Sequence, residues 1–478
     1  MSDCDAVDTI ISGHHYTSTP EDTVAVALHA GTDLDCGGYY QQHSQSALDN
    51  KKIIEGDIDQ ALIRTFNVLV RLGYFDPPEQ QRYRQLSKDD VDTSDSRQLT
   101  LEAAQQSIVL LKNQNKALPL DINQLQNKKI ALIGPSANNG GLMQGNYYGK
   151  APYLIDPLSA FQNVTQGHSI TVSYARGCNI SDQDQTGFAA AISLAQSSDV
   201  VFFFGGIDEG QESEGHDRTD ISLPGMQLAL IQQLEKVVHS PLHVVIMSGG
   251  GVDLSYVRDS SLTGSLIWMG YAGQSGGLAL ANVIFGEYNP GGRLPITYYP
   301  ASYVQNLSMF DMEMRPSPTN PGRTYKFYTG QPVFEFGFGL SYTTFNYSWS
   351  NQSTTSIMSI ESIIRTNDEE NKLRMVSYRV NVTNTGSILG DDVVLAYITP
   401  PSTSFHDPSP PLKRLFGFQR VRLDVGQTTQ VVFPLVPQSL LTVGRDGSKW
   451  LEPGAYRIII GKQHMHTIFL RGTSTKWS

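Results

Sequence analysis

Five near-continuous apolar runs, KIALIGP, SITVSYA, DVVFFFGG, LHVVIMSGGG and SLIWMGY, follow one another between residues 129 and 271. Between them stand spacers such as PGMQLALIQQLEKVV, whose apolar residues fall at helical spacing. A strand that is apolar at every position has no solvent face, because successive side chains point to opposite sides of a sheet. Strands of that kind alternating with helices predict a largely parallel sheet covered on both faces. Ligand-binding residues are then expected in loops at the C-terminal ends of the strands.

The flanks have a different rhythm. Residues 1–76 pass through a helix after the Thr-Pro of TSTPEDTVAVALHAG and reach GTDLDCGG, which reads as the tail of a β-α-β repeat. They end in EGDIDQALIRTFNVLVRLGYFD, where Ile58, Leu62, Ile63, Phe66, Leu69 and Val70 fall at helical spacing and Gly73 is a natural stop. The charged, proline-containing stretch 77–98 reads as a linker, 99–298 as the α/β domain, and 299–345, rich in Pro, Gly and Tyr, as a connecting arm. Over 346–478, strong alternation in VSYRVNVTN, DDVVLAYITP, TTQVVFPLV and AYRIIIG predicts a β-sandwich of the immunoglobulin or fibronectin type. A chain of 478 residues suits such a division at roughly 150 residues per domain.

Lys plus Arg number 35 against 46 Asp plus Glu, a net charge of −11, which argues against a nucleic-acid partner held through phosphate contacts. A neutral or sugar-like partner fits better. No run approaches the roughly 18–20 apolar residues that cross a bilayer, so no membrane partner is expected, and residues 1–30 show no secretory signal. Six sequons, at Asn163, Asn179, Asn306, Asn346, Asn351 and Asn381, are glycosylation candidates. The three cysteines, Cys4, Cys36 and Cys178, make no disulfide framework and lack zinc-ligand spacing, which leaves room for one bridge and one thiol.

Carboxylates cluster in two places. Asp3, Asp5 and Asp8 precede Asp33 and Asp35 by about one β-α unit, without the glycine and glutamate of a calcium loop. Acids in loops flanking β-α units are where barrel enzymes place catalytic groups. The second cluster, DEGQESEGHDR at 208–218, directly follows the run VVFFFGG and carries Glu212, Glu214, His216, Asp217 and Arg218. Crowded acids beside an arginine have their protonation tuned in opposite directions, and glycoside cleavage requires such a pair, one proton donor and one nucleophile.

SDCDAV, AGTDLDCG, SIVLLKNQNKALPL, QGNYYG, ESEGHDRTDISLPG, NPGGRLPITYYP, PGRTYKFY and FGFGLSYTTF occur in this order from Ser2 onward. Together they resemble glycoside hydrolase family 3, and the Cys after the first Asp points to its β-xylosidase and α-L-arabinofuranosidase branch. The resemblance implies a (β/α) barrel supplying a nucleophile, an α/β sandwich supplying the acid/base, and a C-terminal fibronectin type III-like domain. It maps the nucleophile onto Asp3 and the acid/base onto Glu214, with Glu212 as fallback, in a retaining mechanism needing no metal or organic cofactor. The implied reaction is exo-acting release of xylose or arabinose from xylan or arabinoxylan oligosaccharides. Wall polysaccharides lie outside the cell, so the implied location is extracellular.

The chain departs from the family pattern by starting at the nucleophile strand, which makes 1–76 a C-terminal remnant of the barrel. The expectation is an N-terminally truncated chain that is inactive, or nearly so, by itself. The alternative function is a catalytically inactive carbohydrate-binding or structural remnant. His14 and His15 are candidates to line the sugar site beside Asp3, and Tyr147 and Tyr148 to edge it, although core packing is the ordinary role of such aromatics. Cys4 and Cys36 follow consecutive candidate barrel strands, so a bridge between them is geometrically possible, although the spacing does not give the Cα separation it needs. A rival esterase reading rests on GQSGG, with Ser275 as nucleophile, but the only later histidines, His406, His464 and His466, fall in the β-rich tail.

Overall fold

The computed structural model describes residues 1–351, 357–365, 376–402, 404–461 and 463–477. It resolves into two units, Met1–Thr93 and Ser94–Ser478. In the first, α1 (Ala6–Ser12), α2 (Pro20–His29), α3 (Tyr39–Asp49) and α4 (Glu55–Arg71) surround a small core built on Val7, Val24, Leu28, Tyr39, Ala47 and Ile53. Pro20 opens α2 at the position where its missing N–H costs nothing, and the Thr19 side chain accepts from the Asp22 amide.

Helix α4 forms where the periodicity predicts and stops as predicted. Gly73 takes φ 71°, its amide bonds to the Val70 carbonyl, and the Tyr74 amide bonds to the Leu69 carbonyl, a Schellman cap. Its apolar stripe is not buried, however: Leu62, Ile63, Phe66 and Val70 are exposed, and Ala61 alone is fully covered. The strands expected ahead of Cys4 and Cys36 do not form either. A strand exists only as part of a ladder, and here the ladder is two bonds, from the Ser2 amide to the Leu34 carbonyl (2.9 Å) and from the Asp5 amide to the Cys36 carbonyl (2.6 Å). Both segments advance in the same direction, as neighbouring parallel strands would.

The stretch expected as a linker, 77–98, consists of short 3-10 turns followed by α5 (Ser94–Ser107). The five apolar runs then form β2 (Lys129–Ile133), β3 (Thr171–Ala175), β4 (Val200–Gly206), β5 (Leu242–Met247) and β6 (Thr263–Trp268), all parallel, in the order β3-β2-β4-β5-β6. An edge strand outside those runs, β1 (Val109–Asn113), joins β6 antiparallel. Both faces are covered, as continuous apolarity requires. Phe202 and Phe204 of β4 pack with α5, α6 (Pro157–Val164) and α10 (Gly276–Ile284). Val201 and Phe203 pack with α7 (Phe188–Gln196), α8 (Gln227–Leu234) and α9 (Ser255–Asp259).

The strand order reverses between β2 and β4, so the loops leaving these strands flank the crevice where such sheets place ligands. Gly206 closes β4 at φ 133°, and a Cβ there would stand 1.9 Å from the Met247 carbonyl oxygen. Gln227 fixes this end by accepting the Gly206 amide (2.7 Å) and donating to its carbonyl (2.7 Å).

The last part of the chain is a β-sandwich. One sheet runs β11-β10-β15-β16-β8 and the other β12-β9-β7. Their strands are β7 (Phe345–Asn351), β8 (Ile357–Ser359), β9 (Val376–Asn384), β10 (Gly390–Thr399), β11 (Arg414–Leu423), β12 (Thr428–Leu435), β15 (Gly454–Ile460) and β16 (Gln463–Arg471). Alternate residues of β9, Tyr378, Val380 and Val382, meet Tyr456 and Ile458 of β15 in the core. Short strands β13 (Thr442–Val443), β14 (Lys449–Leu451) and β17 (Thr475–Lys476) make a third sheet. The sandwich is tied to the α/β part by buried charge: Asp392 accepts from Arg293 at 2.5 Å, and Asp391 accepts from Tyr288 at 2.6 Å and faces Arg420 and Arg422.

Candidate active site

Asp3 is exposed on the turn that enters α1. Its carbonyl accepts the Ala6 amide (3.2 Å), and its Oδ1 accepts the Cys4 amide (2.8 Å), which orients the carboxyl against its own backbone. The turn is pinned to the segment before α3 by the Cys4–Cys36 disulfide, with the Cα atoms 4.3 Å apart, and by the Cys36 amide on Ser2 Oγ (2.9 Å). Asp5 holds φ 59° in this corner, a left-handed conformation that Asp tolerates better than most side chains. His14 and His15 lie exposed beyond α1, and no described side-chain hydrogen bond ties either to Asp3.

In the second unit, the ends of three adjacent strands converge. The acidic loop leaves β4, the Gly249–Gly250 turn leaves β5, and Tyr271 follows β6. Glu212 stands at the centre. Its Oε1 accepts the Gly249 amide (2.5 Å) and the Tyr271 hydroxyl (2.7 Å), and its Oε2 accepts the Gly250 amide (2.8 Å) and faces Arg218 Nη2 at 3.5 Å. Burial, then the bond to Glu212, pushes the Tyr271 hydroxyl far above its ordinary range, so it remains a donor. Arg218 Nη2 also donates to the Gly251 carbonyl (3.0 Å).

Glu214 is placed differently. The His216 amide bonds back to the Ser213 carbonyl (3.0 Å), closing a tight turn whose central residues are Glu214 and Gly215. Gly215 takes φ 79°, the positive value such a turn demands at its third position. Glu214 therefore rides the exposed tip of the turn. Two carboxylates two residues apart thus have opposite environments, one held by three hydrogen bonds and an ion pair and one exposed with no partner among the described residues.

The other candidates fall out unevenly. Tyr147 and Tyr148 are exposed rather than packed in the core. Ser275 is buried at the start of α10 with its Oγ on Tyr153 Oη (3.0 Å). Its hydroxyl is thus engaged by a phenol, and no hydrogen bond among the described residues joins it to a histidine, so nothing here supports the esterase reading. Among the sequons, Asn163, Asn306 and Asn346 are exposed and Asn179 and Asn381 half-buried, while the Asn351 side chain lies outside the described residues. Among the described residues no three His, Cys, Asp or Glu side chains gather as metal ligands, and no helix is long and apolar enough to cross a membrane. Tyr271 and the Gly249–Gly250 pair were not legible as partners of Glu212. The available signal was SGGG after an apolar run, which leaves free amides at a strand's C-terminal end.

Residues 108–342 match the glycosyl hydrolase family 3 C-terminal domain, and 392–464 match a fibronectin type III-like domain. The exo-1,4-beta-xylosidase xlnD of Aspergillus awamori is 41% identical over 472 residues, covering 96% of this chain and 58% of the relative. The chain belongs to glycoside hydrolase family 3. A second relative, the probable beta-D-xylosidase 6 of Arabidopsis thaliana, is 39% identical over 491 residues, covering 96% of this chain and 60% of that one. Among solved family 3 structures, a GH3 exo-beta-xylosidase (XlnD) in complex with a xylobiose aziridine activity-based probe superposes with a TM-score of 0.89 at 38% identity. That match covers 99% of this chain and 61% of the other. The chain thus spans about three-fifths of the length of these relatives.

Proposed function

We propose that this chain carries the nucleophile and the acid/base of a retaining exo-β-xylosidase that releases xylose or arabinose from xylan or arabinoxylan oligosaccharides. In this reading the Asp3 carboxylate attacks the anomeric carbon, and Glu214 gives its proton to the departing glycosidic oxygen. Glu214 then takes a proton from water, the water oxygen bonds to the anomeric carbon, and the ester to Asp3 breaks. The two carboxyls must come to about 5–5.5 Å for this chemistry.

The observation that carries the assignment is the contrast within the acidic loop. A carboxylate that accepts two amides and a phenol and faces a guanidinium is fixed in place by its neighbours, whereas Glu214 is exposed and open to a substrate oxygen, so in this reading Glu212 anchors and Glu214 acts. The domain borders 1–76, 77–98, 99–298, 299–345 and 346–478, and sugar-edging roles for His14, His15 and Tyr147, belong to the same reading. Exposed sequons and a disulfide favour an extracellular setting for the protein.

Labelling with a xylobiose-configured aziridine, read by intact mass and peptide mapping, tests the assignment. A covalent adduct on Asp3 that Asp3→Asn abolishes supports turnover. A chain that takes no label but binds xylo-oligosaccharide in a titration is the inactive carbohydrate-binding remnant instead. The exposure of Asp3 and of the α4 stripe favours that second reading for the chain by itself.

A further inference from the structure

Helix α4 presents an uncovered apolar face. Leu62, Phe66 and Val70 succeed one another at intervals of four with Ile63 beside them, and all four are 47–61% exposed. The face continues past the end of the helix. The Phe66 ring meets Phe75 at 6.2 Å and Phe75 meets Tyr74 at 5.3 Å between centroids, and both of these later rings are exposed. At such exposures the six side chains offer water on the order of 500 Å² of connected apolar surface, the upper end of what a monomer carries in one patch.

Charges on the same helix indicate what covers the face. Its acids, Glu55, Asp57 and Asp59, fall in the first two turns, and its bases, Arg64 and Arg71, in the second half. Asp57 is committed to His29 and Arg64 to Asp33, each at 3.1 Å. Glu55 and Asp59 toward one end and Arg71 at the other are exposed, with no ion pair among the described residues. The flanking segments carry both signs at each end, from Asp49 and Lys51 before the helix to Asp76 and Arg84 after it, and set no bias. A helix that is acidic in one half and basic in the other is complementary to a second copy of itself turned end over end.

We propose that this face is the interface of a two-fold dimer, with α4 of one copy antiparallel to α4 of the other. A crossing near residue 65 sets Asp59 of each copy level with Arg71 of the other, whereas a parallel pair sets like charges together. Two such faces remove on the order of 1,000 Å² from water, the size at which specific interfaces begin. The two-fold arrangement uses up both faces and so stops at two copies. An interface of this size without deep pockets gives a weak dimer, with a dissociation constant on the order of micromolar.

Sedimentation velocity of the full chain without reductant, from about 1 to about 100 µM, brackets that range and tests the proposal. The average mass is expected to rise toward that of two chains and no further. Phe66→Lys should weaken the dimer about tenfold or more, since it puts a charge at the centre of the face. Asp59→Arg should weaken it about threefold, and Asp59→Arg combined with Arg71→Asp should recover most of that loss. All three side chains are exposed, so circular dichroism should show the parent fold in each variant. A chain that stays monomeric at about 100 µM overturns the proposal and leaves the face to a different polypeptide. A dimer indifferent to Phe66→Lys overturns it too, as does growth beyond two copies.

Discussion

Tyr271 donates a 2.7 Å hydrogen bond to Glu212, a residue 59 positions earlier, and so fastens the loop leaving β4 to the residue that follows β6. The same carboxylate holds the turn after β5, so one side chain joins the ends of three neighbouring strands. Tyr271→Phe removes the donor and leaves a half-buried carboxylate short of one partner. Hydrogen bonds to charged groups contribute about 1.5–3 kcal/mol, and a loss of that size is expected in urea denaturation. The acidic loop should also become more susceptible to limited proteolysis. An unchanged midpoint and cleavage pattern would show that water replaces the phenol.

The activity counterpart separates the two glutamates. If Glu214 is the proton donor, Glu214→Gln should lower kcat on an aryl xyloside with a poor leaving group by about 10²–10⁴-fold. A substrate with a strongly acidic leaving phenol should suffer less, because it needs no proton. Glu212→Gln should instead lower stability and affect both substrates alike. A leaving-group dependence found in the Glu212 variant and absent from the Glu214 variant would reverse the roles.

His243 gives stability a pH dependence with a definite sign. It is buried in β5, its Nδ1 shares a 2.8 Å bond with Ser265 Oγ, and its ring stacks on Phe202 at 4.6 Å. Burial lowers its pKa to about 4, below the unfolded value near 6.5. Between these values the unfolded chain binds more protons than the folded one. The contribution is therefore full above pH 6.5 and is lost as pH falls toward 4, by on the order of 3 kcal/mol. Urea midpoints between pH 7 and 4.5 should show this slope, and His243→Gln should flatten it.

What could be read in advance follows the strength of the burial signal. VVFFFGG announced a strand covered on both sides, because its β-branched and aromatic residues, closed by two glycines, suit a buried strand better than a helix, and all seven residues are buried. The sandwich was legible from the alternation of Tyr378, Val380 and Val382 against their outward neighbours. Edge strand β1 escaped notice because its five residues carry neither a long apolar run nor an alternation. In the first unit, helix caps wrote themselves into Thr19-Pro20 and Gly73, yet periodicity alone did not reveal that the α4 stripe stays uncovered. In ESEGHDR the resemblance ranked Glu214 ahead of Glu212, but the residues alone gave no physical reason for the order. Their difference comes from Gly249, Gly250 and Tyr271, which only the folded sheet brings near.

Gly206 should be the least replaceable residue of the sheet. At φ 133° an alanine is strained whatever the space, and here its Cβ would fall 1.9 Å from the Met247 carbonyl oxygen and 2.9 Å from the Met247 amide nitrogen. Neither atom can move without breaking the β4–β5 ladder, where Gly206 is registered against Met247. Gly206→Ala is expected to cost about 3 kcal/mol or more, enough to appear as insoluble expression. Gly149→Ala is the matched control, since nothing lies within 4 Å of its added carbon and its φ is not positive. It should stay within about 0.5 kcal/mol of the parent. Equal solubility and melting of the two variants would mean that β4 and β5 separate more easily than their buried ladder implies.

The Cys4–Cys36 bridge should govern the stability of the first unit out of proportion to its size. The bonded residues are 32 positions apart, and closing a loop of that length removes about 3–4 kcal/mol of unfolded-state entropy in the chain-entropy account. The core it supports is small, and the Asp3 turn has only the bridge, two backbone bonds and the Ser2 contacts to hold it against the segment before α3. Cys36→Ser, or reduction with a phosphine, should therefore melt residues 1–93 well before the α/β sheet, which contains none of the bridged residues. Hydrogen exchange read by mass spectrometry resolves the two regions. Early exchange of α1 and α3 with unchanged protection of β4 and β5 is expected, whereas uniform protection after reduction would show that helix packing alone holds the turn.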